Sequence, residues 1–126
     1  MNLSKTFAVL TPTLGMKPVE VTSDLYERLD RDFAQFQGHV LVSMYAFDGD
    51  WPTWERHPAG DELVMLLAGE AEFVFDRDGR HETTRLAKPG DFAIVPRGTW
   101  HTAKIRERAE ILFVTPGEGT ENREIA

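Results

Sequence analysis

Two glycine-bounded segments of the sequence, residues 49–69 and 90–105, carry residue types that bind transition metals. The four candidate ligands in these segments are Glu55, His57, Glu62 and His101. Imidazole nitrogens and carboxylate oxygens are common ligands of divalent transition metals. Because side chains alternate between the two faces of a strand, Glu55 and His57 project to the same side and can reach one ion. The spacing predicts a metal site made of two imidazoles and two carboxylates.

The fold must bring the other two candidate ligands to the same point. Glu62 follows His57 across a Pro-Ala-Gly turn at residues 58–60, which can place the next strand alongside. His101 comes from a distant strand, so only a closed or two-sheeted β fold can deliver it. Two histidines and one carboxylate form the facial triad of non-haem iron sites, and the remaining carboxylate can occupy another position. The sequence contains no cysteine, so the ligand atoms are nitrogen and oxygen.

Other roles for these polar residues stay open at the level of sequence. Glu55 could be a solvated strand residue or a general base beside the metal, and the other three candidates could be hydrogen-bonded polar groups of the core. His39 and His81 lack ligand-spaced neighbours and are predicted to lie at the surface. Arg97 could hold an anionic group of a substrate, although a solvent-facing arginine in a turn is the expectation we favour.

The elements that position these residues are predicted mainly as short strands separated by glycine-containing and proline-containing turns. The strand candidates are residues 6–10, 19–21, 40–47, 62–67, 71–75, 81–86, 92–95, 101–106 and 111–115. Short strands at this even spacing are typical of a β-sandwich or barrel.

One amphipathic helix is predicted ahead of most of the strands. Apolar residues recur at helical spacing from Ser23 onward, at Leu25, Leu29, Phe33 and Phe36. Thr22 or Ser23 is the expected N-cap, and Glu27 can pair with Arg31 one turn later. Gly38 is the expected C-terminal stop. This pattern predicts a helix that packs one face on a sheet.

Length and composition indicate a single domain over residues 1–126, with 41% hydrophobic residues to build a core. The 21 acidic and 14 basic residues give a net charge of −7, and the absence of any basic run argues against a nucleic-acid or anionic-membrane partner. Neither a signal peptide nor a membrane-spanning apolar stretch is recognisable, so a cytoplasmic protein is expected. The polar tail, residues 117–126, is expected to be loosely held at the surface.

The two glycine-bounded segments resemble the two sequence motifs of the cupin family. The matching positions are Gly49, His57, Glu62 and Gly69 in the first, and Gly90, Pro96, Gly98 and His101 in the second. The resemblance implies an all-β cupin jelly-roll barrel, with the predicted helix near its N-terminus and one divalent metal ion inside. It also implies a homodimer, which we expect to pair through a sheet edge because unpaired edge strands invite association.

Two positions depart from the family motifs. Glu55 stands where the first motif has histidine, and Ile105 stands where the second ends in asparagine. The extra carboxylate changes the ligand charge from about −1 to about −2, which nearly neutralises a divalent ion and lowers its Lewis acidity. A water on such an ion is expected to be less acidic than zinc-bound water, whose pKa is about 7, so simple hydrolysis is disfavoured. Iron or manganese redox chemistry is favoured, with zinc and nickel as alternatives.

The face that carries the ligands is expected to continue into a mostly apolar small-molecule pocket. Strand alternation adds Val64, Leu66, Ala103 and Ile105 to that face. Four aromatic residues could line the pocket or pack in the core, with the core favoured: Tyr45, Trp51, Phe73 and Phe75. Trp54 and Trp100 are next to ligands in sequence and are expected to face the opposite side.

The expected function is a metal-dependent enzyme acting on a small organic molecule. The resemblance implies oxygen-dependent cleavage, isomerisation or lyase chemistry, and dioxygenase chemistry is slightly favoured because the facial triad leaves positions for substrate and dioxygen. A non-catalytic, metal-dependent small-molecule binding protein or sensor is the competing class. A metal-free structural remnant is a third possibility, which the retention of four ligand types disfavours.

Overall fold

In the computed structural model, which describes residues 1–125, eleven strands and one short α-helix account for the regular structure of those residues. The strands are β1 Thr6–Leu10, β2 Met16–Glu20, β3 Val40–Phe47, β4 Thr53–Arg56, β5 Glu62–Gly69, β6 Ala71–Arg77, β7 Arg80–Leu86, β8 Phe92–Val95, β9 His101–Lys104, β10 Ala109–Thr115 and β11 Glu121–Glu124. The helix, α1, is Leu25–Asp32, and a short 3₁₀ turn follows at Ala34–Phe36. The predicted all-β fold with one N-terminal helix is confirmed.

The strands form two antiparallel sheets. One has the order β2-β1-β3-β10-β5-β8 and the other the order β11-β4-β9-β6-β7. In β5, Val64 and Leu66 are fully buried while Leu63 and Met65 are less completely buried on the other face, as alternation between an inner and an outer face requires. Residues that the chain separates widely, on β4, β5 and β9, therefore meet on the inner faces of this jelly-roll.

A second, smaller core cluster lies beneath the helix. Leu25 and Leu29 of α1 and Phe36 of the following turn are each no more than 4% exposed, and they pack against apolar residues of β1, β2 and β3. Tyr45 on β3 packs against both this cluster and the main core between the sheets. The helix therefore forms part of the wall at one end of the barrel.

The helix ends earlier than its apolar spacing predicts. It stops at Asp32, and residues Ala34, Gln35 and Phe36 have φ values of 52°, 55° and 62°. This left-handed turn breaks the helical ladder and swings Phe36 into the small core cluster. The prediction that the helix runs to Gly38 is wrong, because burial of Phe36 is achieved by a turn and not by continued helix.

The predicted helix cap and surface ion pair are also wrong. The N-cap residue is Asp24, which makes no capping hydrogen bond with its side chain. The Thr22 hydroxyl donates instead to the Asp24 carboxylate, so it does not cap the helix. Arg31 forms its salt bridge with the neighbouring Asp32, at 3.0 Å, and not with Glu27 as predicted.

The polar tail is held in the smaller sheet, contrary to the expectation of a loose segment. β11 pairs with β4 in antiparallel register, with Asn122 opposite Glu55. The Arg56 guanidinium contacts Glu121 at 2.8 Å, and Arg123 lies 4.6 Å from the centre of the Trp100 ring. Backbone pairing and these charged contacts fix a segment that has no apolar periodicity. Ala126 lies outside the described residues.

Within residues 1–125, no helix combines the length and the apolar character needed to cross a membrane.

Candidate metal centre

The structure brings all four candidate ligands together at one end of the barrel interior. Glu55 on β4 and His101 on β9 are cross-strand partners. His57 follows β4 directly and Glu62 begins β5. The ligand atoms of Glu55, His57 and His101 all lie within 4.8 Å of one another.

Glu62 bridges the two imidazoles. One of its carboxylate oxygens, Oε2, lies 3.3 Å from Nε2 of His57, and the other, Oε1, lies 3.2 Å from Nε2 of His101. Nε2 of His57 is also 3.2 Å from Oε1 of Glu55. The two Nε2 atoms and the carboxylates therefore face a common point.

Several of these atoms are buried without a hydrogen-bond partner in the described part of the chain. They are Nε2 of His57, Nε2 of His101 and Oε1 of Glu62. Leaving a buried polar atom unpaired is costly, and native proteins rarely do so without a functional reason. Two nitrogen lone pairs and a carboxylate oxygen that face one another are the donor set a divalent cation requires. The residues present therefore fit a metal ion.

The opposite edge of each imidazole is held by a hydrogen bond. Nδ1 of His101 lies 3.0 Å from the backbone carbonyl of Thr99. Nδ1 of His57 lies 2.9 Å from the Thr120 hydroxyl, which itself donates to the carbonyl of Gly117. Because both acceptors need a donor, each ring holds a proton on Nδ1, so Nε2 offers a lone pair whenever the ring is neutral. This arrangement fixes the tautomer that metal ligation needs.

A threonine also holds the buried carboxylate. Thr115, at the end of β10, donates a hydrogen bond of 2.5 Å to Oε2 of Glu62. Glu62 is only 2% exposed, so this bond orients a carboxylate that has little access to water. Its other oxygen, Oε1, is thereby left to face His101.

In the metal-free site, the imidazoles and carboxylates lie close enough to shift the pKa values of His57 and Glu62. Burial by itself lowers the pKa of His57, but the carboxylates of Glu55 and Glu62 beside the ring raise this pKa to about 9. Burial by itself raises the pKa of Glu62, but the two imidazoles beside it lower this pKa to about 2. In the absence of a cation, a proton on His57 compensates part of the carboxylate charge.

The stability of the metal-free protein is expected to fall as the pH rises from neutral. The favourable contribution of protonated His57 is complete below its ordinary pKa of 6.5 and is lost as the pH rises to about 9. The contribution of ionised Glu62 is complete above 4.5 and is lost as the pH falls to about 2. Loss of the His57 contribution corresponds to about 2–3 kcal/mol.

Thermal unfolding in the presence of a chelator, from pH 5 to 9, measures this effect. The midpoint is expected to fall by roughly 5–10 °C between pH 6.5 and 9. The His57→Gln variant, which cannot hold the proton, is expected to lack this decline. A midpoint of the native chain that is constant or rises over the same range would contradict the prediction.

Loss of the Thr120 hydroxyl is expected to weaken metal binding. Thr120→Val removes the acceptor that orients His57, and loss of such an outer partner typically lowers metal affinity by about 10–100-fold. Thr120→Ser keeps the hydroxyl and is expected to bind as the native chain does. Competition with a chromophoric chelator gives the affinities. Equal affinity of the valine and serine variants would show that the hydrogen bond has no orienting role.

Three of the candidate ligands, Glu55, His57 and Glu62, line a cavity of about 790 Å³, and His101 is completely buried behind them. Tyr26, Leu29 and Asp30 of α1 and Phe36 beyond it form one wall. Six aromatic side chains in total line the cavity: Tyr26, Phe36, Tyr45, Phe47, Trp51 and Phe113. The hydroxyls of Tyr26 and Tyr45 are hydrogen-bonded to each other, which ties the helix to β3. The cavity has the size and apolar character of a small-molecule site.

Four residues that were expected to extend the ligand-bearing face into the pocket are core residues instead. Val64, Leu66, Ala103 and Ile105 are buried in the main core cluster, and they are not among the residues that line the cavity. The core fills the barrel beyond the ligands, so the cavity walls come largely from β3, the loop before β4 and the helix. Of the four aromatic residues considered, Tyr45 and Trp51 line the cavity, whereas Phe73 and Phe75 are core residues.

The other singled-out residues lie away from the cavity. His81 is exposed and packs on Trp54, with ring centres 5.2 Å apart. Trp100 packs beneath Arg56 on the outside of the smaller sheet. His39 is half-buried between Phe33 and Phe36 instead of lying fully at the surface. Arg97 is exposed in its turn, as expected.

Sequence reasoning missed the helix residues around the cavity and three threonines, of which Thr115 and Thr120 act through their hydroxyls and Thr99 through its backbone carbonyl. Thr99, Thr115 and Thr120 are near or after strand ends, where a threonine has no distinctive spacing. The i, i+4 pair Tyr26 and Asp30 on the helix is the one pattern that could have identified a polar wall.

The chain matches a family model and is similar in sequence to a longer protein. A family model described as "Cupin_2: Cupin domain" matches residues 47–115. A Saccharolobus solfataricus protein named "Putative dioxygenase SSO1533" is 32% identical over 111 residues, which are 86% of this chain. The chain spans only 26% of the length of that relative.

Solved structures show the same fold. A cupin superfamily protein from Desulfitobacterium hafniense is 29% identical with a TM-score of 0.51, over 60% of this chain and 65% of the other. The oxalate decarboxylase of Bacillus subtilis, described with Mn(II) centres, has a TM-score of 0.57 at 18% identity, over 68% of this chain and 24% of the other.

Proposed function

The chain belongs to the cupin family, and from that premise we propose that it is a metal-dependent enzyme acting on a small organic molecule. One divalent ion is held by Glu55, His57, Glu62 and His101. The observation that carries this proposal is the convergence of buried, unpaired ligand atoms, since two imidazole nitrogens and a carboxylate oxygen face one another with no hydrogen-bond partner in the described residues. A cation satisfies all of them at once.

Iron or manganese is the proposed ion, with zinc and nickel as alternatives. Two carboxylates and two neutral imidazoles nearly neutralise a divalent ion, which lowers its Lewis acidity and favours redox chemistry over hydrolysis. The dioxygenase name of the Saccharolobus relative and the Mn(II) centres of the Bacillus oxalate decarboxylase support this choice.

We propose dioxygenase chemistry ahead of isomerase or lyase chemistry. When bound, the ion supplies a Lewis acid and a redox partner for dioxygen. Thr115 and Thr120 hold Glu62 and His57 in the orientation that ligation requires. The aromatic walls exclude water and give a substrate ring a surface on which to pack. The hydrogen-bonded Tyr26–Tyr45 pair closes part of the cavity wall.

A binding protein without catalysis is the second candidate, and one observation favours it. Apart from the proposed ligands, the carboxylates that line the cavity are Asp30 and Asp50, and both are exposed. General acid–base catalysis is usually performed by a group whose pKa is tuned by burial or by a neighbour. Metal-dependent binding of a small molecule needs no such group.

Oxygen uptake by the iron-loaded protein distinguishes the two candidates. A panel of diols, diketones and catechols is added to the protein at defined iron stoichiometry. Uptake that depends on both iron and one substrate class, and that His101→Gln abolishes, supports the oxygenase. Saturable binding of a panel member without uptake or any other conversion supports the binding protein. Failure to retain any transition metal would overturn both.

We also propose that the chain forms a homodimer through the β8 edge of the larger sheet. Phe92 and Ile94 on this edge strand are 56% and 48% exposed, and their cross-strand neighbours Met65 and Leu63 extend the apolar surface. Exposed apolar groups on a sheet edge are a site for association.

The double variant Phe92→Lys/Ile94→Lys is expected to be a monomer, because burying two lysines at the interface is unfavourable. Light scattering during gel filtration measures the mass of the native chain and the variant. Leu14→Lys/Met16→Lys, which changes exposed residues on and beside the opposite edge strand β2, is the matched control and is expected to remain a dimer. A native chain that elutes as a monomer would exclude the dimer.

A further inference from the structure

Apart from His57, a proposed metal ligand, the charged residues that line the cavity are all acidic. Asp30, Asp50, Glu55 and Glu62 line it, and no lysine or arginine is among its lining residues within the described chain. Four carboxylates against one divalent ion leave two negative charges. A carboxylate or phosphate of a substrate would therefore enter a cavity of its own sign, with no guanidinium or ammonium group to receive it.

Two basic residues that neighbour lining residues of this cavity in sequence make their contacts elsewhere. Arg28, which directly precedes the wall residue Leu29, donates to the backbone carbonyl of Glu20 and to the Thr22 hydroxyl. Arg56, which follows Glu55, points outward to Glu121 and lies 4.7 Å from the Trp100 ring centre. These contacts hold both guanidinium groups away from the cavity.

The apolar part of the cavity is built from aromatic rings. Trp51, Phe47 and Phe113 pack on one another with ring centres 5.6–6.1 Å apart. Tyr45 joins them, with its ring centre 6.1 Å from that of Phe113. Aromatic faces attract both flat rings and organic cations. The aromatic walls and the negative charge of the cavity therefore both favour an organic cation that carries a ring.

We propose that this pocket takes a ring-sized organic molecule without negative charge, and that it prefers a protonated amine to a carboxylate on the same skeleton. The inference rests on the proposed function, because it concerns the pocket in which the ion is held. The ring of the ligand packs among the aromatic walls. The negative charges of Asp30 and Asp50 attract a ligand ammonium group and repel a ligand carboxylate.

Three probes with one skeleton test the proposal: 2-phenylethylamine, 2-phenylethanol and phenylacetate. Binding is measured by calorimetry and by tryptophan fluorescence, on manganese-loaded protein without oxygen. The amine is expected to bind at least about tenfold more tightly than phenylacetate, with the alcohol between them, and the difference is expected to shrink as salt is added. Phenylacetate binding as tightly as the amine would overturn the proposal.

Matched variants identify the source of the selectivity. Asp30→Asn/Asp50→Asn removes two charges from the cavity, and the amine-to-carboxylate ratio is expected to fall to less than about threefold. The asparagine at position 50 can still accept the hydrogen bond from the backbone amide of Ile105. Glu27→Gln/Asp78→Asn makes the same change in net charge outside the cavity and is expected to keep the native ratio. A loss of selectivity in this control variant would assign the effect to net charge and overturn the assignment to Asp30 and Asp50.

The same experiment separates this inference from the proposed function. Elemental analysis of the protein reports the metal stoichiometry independently of the probes. If no metal is retained, the proposed function fails while the charge preference can still be measured on the metal-free protein. If metal is retained and carboxylates bind best, only the inference on substrate class fails.

Discussion

Replacing His101 by glutamine is expected to reduce transition-metal affinity by at least about 100-fold, more than loss of an orienting partner usually costs. His101 is completely buried, and its Nε2 is directed at the carboxylate of Glu62 with no hydrogen-bond partner in the described residues. Loss of this nitrogen removes one ligand of the proposed set, and no other side chain on β9 can replace it. Glutamine keeps most of the side-chain volume beside Trp51.

Elemental analysis and chelator competition on the purified variant measure this loss. His81→Gln is the matched control, because that histidine is exposed and is not among the residues that line the cavity. The control is expected to retain metal at the native level. Circular dichroism establishes that the His101 variant is folded. A folded His101→Gln protein with native metal affinity would exclude His101 as a ligand.

Gly69→Ala is expected to destabilise the fold more than any other single methyl addition at a glycine of the chain. Gly69 ends β5 with a φ of +79°, a conformation that L-residues rarely adopt. A Cβ at this position would lie 2.0 Å from the backbone oxygen of Arg108 and 3.1 Å from the Cα of Ala109. The clash is with the backbone at the start of β10, so relief requires β5 and β10 to separate.

The expected loss in the free energy of unfolding is about 3–5 kcal/mol, from steric strain added to the backbone penalty. Gly79→Ala is the matched control, because Gly79 has a φ of +86° but a methyl group there would have no neighbouring atom within 4 Å. It therefore reports the backbone penalty alone, about 1 kcal/mol. Urea unfolding of both variants measures the difference. Equal losses of unfolding free energy in the two variants would show that contact with the Arg108 backbone adds no destabilisation.

Strand alternation explains why the candidate site could be predicted from the sequence. Glu55 and His57 are two residues apart, so their common direction follows from the period of two, and Glu62 begins the next long strand after a short turn. Placing His101 beside the other ligands requires a fold in which its distant strand lies next to the strand of Glu55. The resemblance to the cupin family predicted such a fold. The structure places Glu55 opposite His101 in neighbouring strands.

The residues around the ligands could not be predicted for a physical reason. Thr120 reaches His57 because β11 returns beside β4, and that pairing rests on backbone hydrogen bonds and exposed charges that leave no apolar pattern. The end of the helix was missed similarly, because Phe36 has helical spacing but reaches its core cluster through a left-handed turn. Periodicity identifies which residues are buried more reliably than the backbone conformation that buries them.

Anomalous diffraction from crystals of the natively purified protein, recorded on both sides of the iron and manganese absorption edges, determines whether the four side chains hold one transition-metal ion. We expect one strong peak per chain, about 2.0–2.3 Å from Nε2 of His57, Nε2 of His101 and carboxylate oxygens of Glu55 and Glu62. A map with no transition-metal peak among these four side chains, after incubation with iron or manganese, would contradict this expectation.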